Sequence, residues 1–130
     1  MDMTVKEVML SYDKFPKVSA NEFLKVALDK MSEFSLGIVC IVENKTLKGI
    51  ITDGDIRRKL LNVQKPFSAF FTDYVIDHSI KEPTVCYEND SLKSAIDLME
   101  KKQIWDLPVI DNKGNLVGLL HLHAAIKNFI

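Results

Sequence analysis

The feature that most constrains how this chain of 130 residues folds is an internal duplication. An apolar stripe typical of one helix face occurs in the first half and returns in the second, displaced by 68 residues (92 − 24 and 99 − 31). Ser19 and Glu22, just before the first stripe, have the spacing of a capping box and predict where that helix begins. The stripes are Leu24, Ala27, Leu28 and Met31, then Leu92, Ala95, Ile96 and Met99.

Each predicted helix is followed by two short apolar strands joined by a polar turn. The strands of the first copy are Ile38 to Val42 and Leu47 to Thr52, and those of the second are Leu107 to Ile110 and Gly118 to His121. Short apolar runs bounded by turn residues are typical of buried strands. We therefore predict a mixed α/β (α+β) fold of two tandem, pseudo-two-fold repeats, each a small sheet flanked by helices, with clefts between the repeats.

The two copies are assigned to residues 1–65, which include an N-terminal segment, and residues 66–130. A unit of two or three strands does not bury its apolar surface alone, so the copies are expected to share a core. The joining segment, 62–81, is too aromatic for a free linker, and we expect its aromatic side chains to pack across the two halves. These side chains are Phe67, Phe70, Phe71 and Tyr74.

The stretch from Gly49 to Arg58 carries the candidate binding chemistry. Its apolar first half predicts a strand, and Asp53-Gly54-Asp55 then supplies N-cap chemistry for a helix from Asp55 to about Leu61. A strand that turns directly into a helix leaves backbone N–H groups without partners at the junction. Such junctions bind anionic or hydroxyl-rich ligands.

The polar side chains of this junction suit a nucleotide. The Thr52 hydroxyl and the Asp55 carboxylate are able to hold a ribose, while Arg57 and Arg58 supply fixed positive charge for phosphate. Another interpretation fits the same spacing: Asp55 only caps a helix, and the basic run that ends at Lys59 is a solvated helix face. The spacing by itself leaves both interpretations open.

Composition excludes several classes of partner. The net charge of −1 gives no electrostatic basis for nucleic-acid binding. No apolar run approaches the length of a bilayer-spanning helix, and the N-terminus lacks the pattern of a secretory signal, so we expect no membrane partner. Cys40 and Cys86 form no Cys-x-x-Cys pair, and Cys40 lies in a predicted strand as a small core residue. Reduced thiols and a cytoplasmic location are therefore expected.

Aromatic and histidine side chains near the second predicted junction are further candidates. Trp105 is suited to stack on a base or to pack in a dimer interface, although a partly buried core position fits its context equally. His121 and His123 alternate at strand spacing, so both rings would face one side. No carboxylate–histidine cluster completes a metal site, and we predict no metal, no required cofactor and no catalytic residues.

The chain resembles a known family, the CBS domain pair or Bateman module. The resemblance lies in the stretch from Gly49 to Asp55, and in Leu107 to Asp111 with Gly118 to His121. Thr52 to Arg58, with Leu119 to His123, is also similar to the C-terminal CBS pair of arabinose-5-phosphate isomerases. Some sugar nucleotidyltransferases carry a related pair. The resemblance covers essentially the whole chain but includes no sugar-isomerase domain, so it implies a regulatory module rather than an enzyme.

What the resemblance implies is a module that binds AMP, ADP, ATP or a nucleotide sugar such as a cytidine-linked acidic sugar. Carried over by position, Asp55 would hold the ribose hydroxyls and Thr52 would contact ribose or phosphate. Asp53 belongs to the same motif. The base would lie against Leu36, Gly37 and Ile38. Such modules usually form homodimers and are often attached to an enzyme or transporter.

The second repeat departs from this pattern. It has His121 and Ala124 where the first has Thr52 and Asp55, and alanine does not accept a hydrogen bond from ribose. We therefore expect one ligand per chain, at the first site, with His121 available to contact a phosphate or carboxylate. The alternative function is a structural dimerisation module that has lost its ligand.

Overall fold

The computed structural model describes residues 3–62 and 66–127 and divides into two compact units. The first unit is Phe15–Pro83, and the second combines Met1–Lys14 with Thr84–Ile130. In chain order, the strands are β1 (Leu10–Ser11), β2 (Lys17–Val18), β3 (Ile38–Glu43), β4 (Thr46–Thr52), β5 (Cys86–Tyr87), β6 (Asp106–Ile110) and β7 (Leu116–His121). The helices are α1 (Leu24–Phe34), α2 (Asp53–Asn62), α3 (Leu92–Lys102) and α4 (Leu122–Lys127).

The two sheets repeat one strand pattern, which confirms the predicted tandem α/β repeat. In the first unit the order is β2-β3-β4, with β2 parallel and β4 antiparallel to β3. In the second unit β5 and β7 flank β6 in the same way, and β1 adds an antiparallel edge in the order β1-β7-β6-β5. Thr52 pairs with Ile38 in the first unit, and His121 pairs with Asp106 in the second.

Each unit is completed by a segment from the other predicted copy. Val5 lies fully buried in the core of the second unit, and its N–H donates to the Asp90 carbonyl at 2.9 Å. Val75 lies fully buried in the core of the first unit, and its N–H donates to the Glu22 carbonyl at 2.9 Å. The assignment of the copies to residues 1–65 and 66–130 stays a prediction, because its boundary adjoins residues outside the described part of the chain.

The aromatic joining segment forms part of the first unit. Phe70 is 4% exposed and packs in the core with Val75, so it joins residues on both sides of the predicted boundary. Tyr74 also packs across that boundary: it stacks on Phe23 with ring centroids 5.9 Å apart, and both rings are about half exposed. The Phe67 side chain lies outside the described residues. The core of this unit consists of Val18, Leu24, Ala27, Met31, Val39, Ile41, Ile51, Phe70 and Val75.

The first turn of α1 is held by backbone groups rather than by the predicted capping box. Helix α1 begins at Leu24 after Phe23, which provides no side-chain cap. Its first N–H groups donate to carbonyls of the joining segment: Leu24 to Asp73 at 2.8 Å and Lys25 to Phe71 at 3.2 Å. The prediction from Ser19 and Glu22 was therefore wrong, because a neighbouring segment already satisfies the helix N-terminus.

Two further local predictions are corrected by the helix boundaries. Helix α2 begins at Asp53, two residues earlier than predicted. His123 lies in α4 rather than in a strand, so the strand alternation predicted for His121 and His123 does not apply. None of the helices in residues 3–62 and 66–127 combines the length and apolar character needed to cross a bilayer.

Candidate functional site

The candidate site lies where β4 ends and α2 begins. Thr52 is the last residue of β4, and its Oγ1 accepts a hydrogen bond from the Asp55 backbone N–H at 3.1 Å. The same hydroxyl donates to Asp55 Oδ2 at 2.8 Å. Thr52 therefore has the position and contacts of an N-cap residue, whereas Asp55 is the third residue of the helix. The carboxylate is thus fixed beside the helix N-terminus, where a negative charge is favourable.

The other oxygen of this carboxylate has a cationic partner. Arg58 Nη2 donates to Asp55 Oδ1 at 2.6 Å, one turn along α2. The Asp55 side chain is 19% exposed and that of Arg58 is 61% exposed. Both oxygens of Asp55 are therefore engaged by donors of the same chain, while the guanidinium remains largely in solvent.

The segment before β3 lies against this junction through backbone contacts. The Asp53 N–H donates to the Gly37 carbonyl at 3.0 Å, and Ile38 pairs with Thr52 across the sheet. A Cβ atom added to Gly37 would lie 2.8 Å from Asp53 Oδ2 and 2.9 Å from Asp53 Cγ. Glycine at position 37 allows the loop and the start of α2 to approach this closely. Leu36, half-buried, precedes it, so the predicted base-contacting residues are adjacent to Thr52.

A cavity of about 400 Å³ opens on one side of α2. Asp55 and Arg58 line it, so the ion pair faces this space. Arg57, exposed on the same helix, is absent from the described residues that line the cavity. The sequence did not single out most of the lining, because the segment that closes the cavity comes from beyond the predicted boundary. The other lining residues are Lys59, Asn62, His78, Ser79 and Ile80.

The segment that closes the cavity is held by two sets of contacts. His78 Nε2 lies 2.7 Å from Asp73 Oδ2, and the imidazole packs at a tilt against the Phe70 ring. Ile80 exchanges two backbone hydrogen bonds with Ile50 of β4, at 2.8 and 3.0 Å. The only sequence signal for this arrangement is the spacing of Asp73 and His78, and an aspartate and a histidine this close in sequence are too common a pattern to predict a contact.

The equivalent junction of the second unit has the same backbone but different side chains. The Leu122 N–H donates to the Trp105 carbonyl at 2.8 Å, as Asp53 does to Gly37. Trp105 is 69% exposed, which rules out a core position for this ring. His121 Nδ1 donates to Asp106 Oδ1 at 2.8 Å, and Ala124 occupies the place of Asp55. The second junction therefore lacks the threonine–aspartate pair.

Metal and thiol chemistry would depend on the histidine, cysteine and acidic side chains in the part of the chain that is described. No group of three or more His, Cys, Asp or Glu side chains there is placed to hold a metal ion. Cys40 and Cys86 are both buried, as expected for Cys40. Burial, with a smaller contribution from the Asp90 charge, raises the pKa of the Cys86 thiol to about 12. This thiol is therefore protonated, and hence a poor nucleophile, near neutral pH.

Comparison with known proteins agrees with the repeated fold. The family model of the CBS domain matches twice, at residues 5–62 and 75–130. The arabinose 5-phosphate isomerase KdsD of Francisella tularensis subsp. tularensis is 30% identical over 129 residues, which are 96% of this chain and 37% of the isomerase. The chain thus spans little more than a third of the length of that relative.

Two solved structures have the same fold. CBSX2 in complex with AMP has a TM-score of 0.85 and 24% identity, over 97% of this chain and 95% of that one. The CBS domain pair of MJ0100, in complex with 5′-methylthioadenosine and S-adenosyl-L-methionine, has a TM-score of 0.82 and 19% identity. That likeness covers 99% of this chain and 98% of the other. With two family matches over most of its length, the chain belongs to the CBS domain family and carries these domains as a tandem pair.

Proposed function

We propose that this CBS pair is a regulatory module that binds an adenine nucleotide, or a related nucleotide or nucleotide sugar, at the junction of β4 and α2. The observation that carries the proposal is the hydrogen-bonded pair of Thr52 and Asp55 at the start of α2. A carboxylate fixed in this way is able to accept both hydroxyls of a ribose, which are neutral donors. The adenosine-containing ligands of CBSX2 and MJ0100 support the choice of nucleotide.

The remaining site residues have roles that follow from their chemistry. Leu36 and Gly37, both half-buried, present apolar surface and backbone to the base, and Ile38, 1% exposed, contributes its backbone beside Thr52. Asp53 supports Gly37 through its backbone N–H. Arg57 and Arg58, both exposed on α2, supply positive charge for phosphate, and of the two it is Arg58 that lines the cavity.

The second junction has a lesser role in this proposal. Trp105 offers an exposed aromatic surface for stacking, and His121 and His123 offer ring nitrogens to an anionic group. Because Ala124 supplies no carboxylate, this junction does not hold a ribose in the same way.

We further propose that the module works in the cytoplasm as a homodimer and controls an attached or partner enzyme that acts on a sugar phosphate. The similarity to KdsD supports the attached sugar-phosphate enzyme, since the aligned part is only 37% of that arabinose 5-phosphate isomerase. Ligand binding then favours one of two conformations of the module, and the enzyme responds to the difference.

Isothermal titration calorimetry with AMP, ATP and a cytidine-linked acidic sugar tests the binding function. We expect saturable binding of at least one nucleotide, and a loss of at least about tenfold in affinity in Asp55→Ala, because a charge-assisted contact is removed. Asp29→Ala is the matched control, since Asp29 also pairs with a cation on its helix but lies 65% exposed on α1. Absence of binding at millimolar ligand, or unchanged affinity in Asp55→Ala, would refute the assignment.

A ligand-free dimerisation module is the second candidate, favoured by the pairing of His121 with Asp106 and by Ala124. It predicts a dimer by light scattering whose melting temperature no nucleotide changes. A nucleotide-dependent rise in melting temperature would exclude it, because a ligand that binds only the folded state stabilises that state.

A further inference from the structure

The carboxylate assigned to the ribose is already held by an internal cation. Arg58 Nη2 lies 2.6 Å from Asp55 Oδ1, and Thr52 Oγ1 lies 2.8 Å from Oδ2. Each carboxylate oxygen accepts up to about two hydrogen bonds, but the Asp55 side chain is only 19% exposed with Arg58 beside it, so a ribose diol that reaches both oxygens has to move the guanidinium away from Oδ1. The contact at Oδ2 differs in kind, because its donor is the neutral Thr52 hydroxyl, which rotates.

The ion pair is of the kind that separates easily. The Arg58 side chain is 61% exposed, and ion pairs with one partner largely in water are individually weak. Its guanidinium also borders the cavity of about 400 Å³ beside α2, together with Lys59. Once it is released from Asp55, the Arg58 guanidinium therefore lies beside a cavity that Lys59 also lines.

We propose that Arg58 is a specificity-determining latch: it pairs with Asp55 in the free protein and transfers to a ligand phosphate when the ribose takes its place. The inference rests on the function proposed above. In the bound state the ribose hydroxyls donate to Asp55, and Arg58 with Lys59 binds phosphate at the mouth of the cavity. Arginine suits this exchange because its planar donors match both carboxylate and phosphate oxygens.

The latch gives the site a preference for phosphorylated ligands. A nucleoside such as adenosine breaks the Asp55–Arg58 pair but has no phosphate with which the guanidinium could form a new contact. A nucleotide breaks the same pair and replaces it with a phosphate–guanidinium contact. The chain therefore distinguishes AMP from adenosine through a residue that also weakens nucleoside binding.

The test is calorimetric titration of adenosine and AMP into the unsubstituted chain, Arg58→Gln and Lys25→Gln. We expect Arg58→Gln to weaken AMP binding about tenfold and to tighten adenosine binding about twofold, so that selectivity falls about twentyfold. Lys25→Gln is the matched control, because Lys25 forms an ion pair with Asp29 on α1 and is 59% exposed. It is expected to leave both affinities unchanged.

A second variant separates charge from geometry. Arg58→Lys keeps the positive charge but loses the planar fork, so we expect it to retain part of the preference for AMP. Equal changes in AMP and adenosine affinity in Arg58→Gln, with AMP binding intact in the unsubstituted chain, would overturn the latch alone. Failure of both ligands to bind the unsubstituted chain would overturn the proposed function and the latch with it.

Discussion

His121 Nδ1 donates to Asp106 Oδ1 at 2.8 Å, at the register position where the first unit pairs Thr52 with Ile38. His121, the equivalent of Thr52, thus forms its side-chain hydrogen bond with the neighbouring strand rather than with the helix that follows it. We predict one nucleotide per chain by calorimetry, in the unsubstituted chain and in His121→Ala alike. Two sites of similar affinity per chain would show that the second junction also binds.

The Thr52 hydroxyl both accepts from the Asp55 N–H and donates to its carboxylate, so its loss affects stability and binding together. Thr52→Val is expected to lower the free energy of unfolding by about 1 kcal/mol, the usual effect of losing a helix cap. It is also expected to weaken nucleotide binding. Thr52→Ser keeps the hydroxyl and serves as the control in urea denaturation and titration. Equal stability and affinity in both variants would contradict the capping role.

The exchanged segments are held by two fully buried valines, Val5 and Val75. Each fills the core of a unit whose main part comes from the other copy. Val5→Ala and Val75→Ala should each lower the free energy of unfolding by about 1–3 kcal/mol, since each leaves a cavity. Lys6→Ala, at an exposed neighbouring position, should change it by less than about 0.5 kcal/mol. If only one of the two substitutions lowered the free energy of unfolding, the segment that carries the other valine would be dispensable for stability.

Two glycines near the site are expected to respond in opposite directions to alanine. A Cβ atom on Gly49 would lie 2.8 Å from the Ile80 carbonyl oxygen, so Gly49→Ala forces backbone apart and should cost about 1–3 kcal/mol. On Gly54, within α2, the nearest atom would be the tip of Arg58 at 3.3 Å. Gly54→Ala should therefore stabilise the helix, by up to about 1 kcal/mol. The melting temperatures of both variants test these two predictions. A higher melting temperature in Gly49→Ala would contradict the close approach of Gly49 to the Ile80 carbonyl.

Asp111 gives the stability a defined dependence on pH. Its carboxylate accepts from the Asn115 N–H at 2.9 Å and the Lys113 N–H at 2.8 Å, and these bonds lower its pKa from the ordinary 3.8. The unfolded chain therefore binds this proton first as the pH falls, and the contribution is present above about pH 4 and lost below it. Asp111→Ala should flatten the decline in urea midpoint below about pH 4. Asp97→Ala, which removes an exposed carboxylate, is the control. If the urea midpoints of Asp111→Ala and Asp97→Ala declined equally below about pH 4, this role of Asp111 would be refuted.

The repeat pattern predicted most of the fold because helix and strand periodicities are local properties of the sequence. The stripes ending at Met31 and Met99 lie in helices of 11 residues each, and both contribute to buried cores. The exchange of Val5 and Val75 was not predictable, because it depends on pairings between distant segments. The capping prediction at Ser19 failed for the same reason.

At the site, the sequence predicted which side chains adjoin but not how they pair. Thr52 and Asp55 were expected together because only two residues separate them at a strand–helix junction. The Arg58 contact to Asp55 depends on a rotamer choice that spacing does not determine, and the cavity depends on the distant segment at His78. The binding roles of these residues, and those of Trp105, His121 and His123, stay predictions.

The most direct measurement of the central claim is mapping of AMP-induced shifts in the backbone amide spectrum of this chain. We predict that the largest shifts fall at the amides of residues 36–38 and 52–58, that they saturate with one ligand, and that in Asp55→Asn they need a higher AMP concentration to saturate. Shifts centred on Trp105 and His121, with the amides of Thr52 and Asp55 unmoved, would contradict the account.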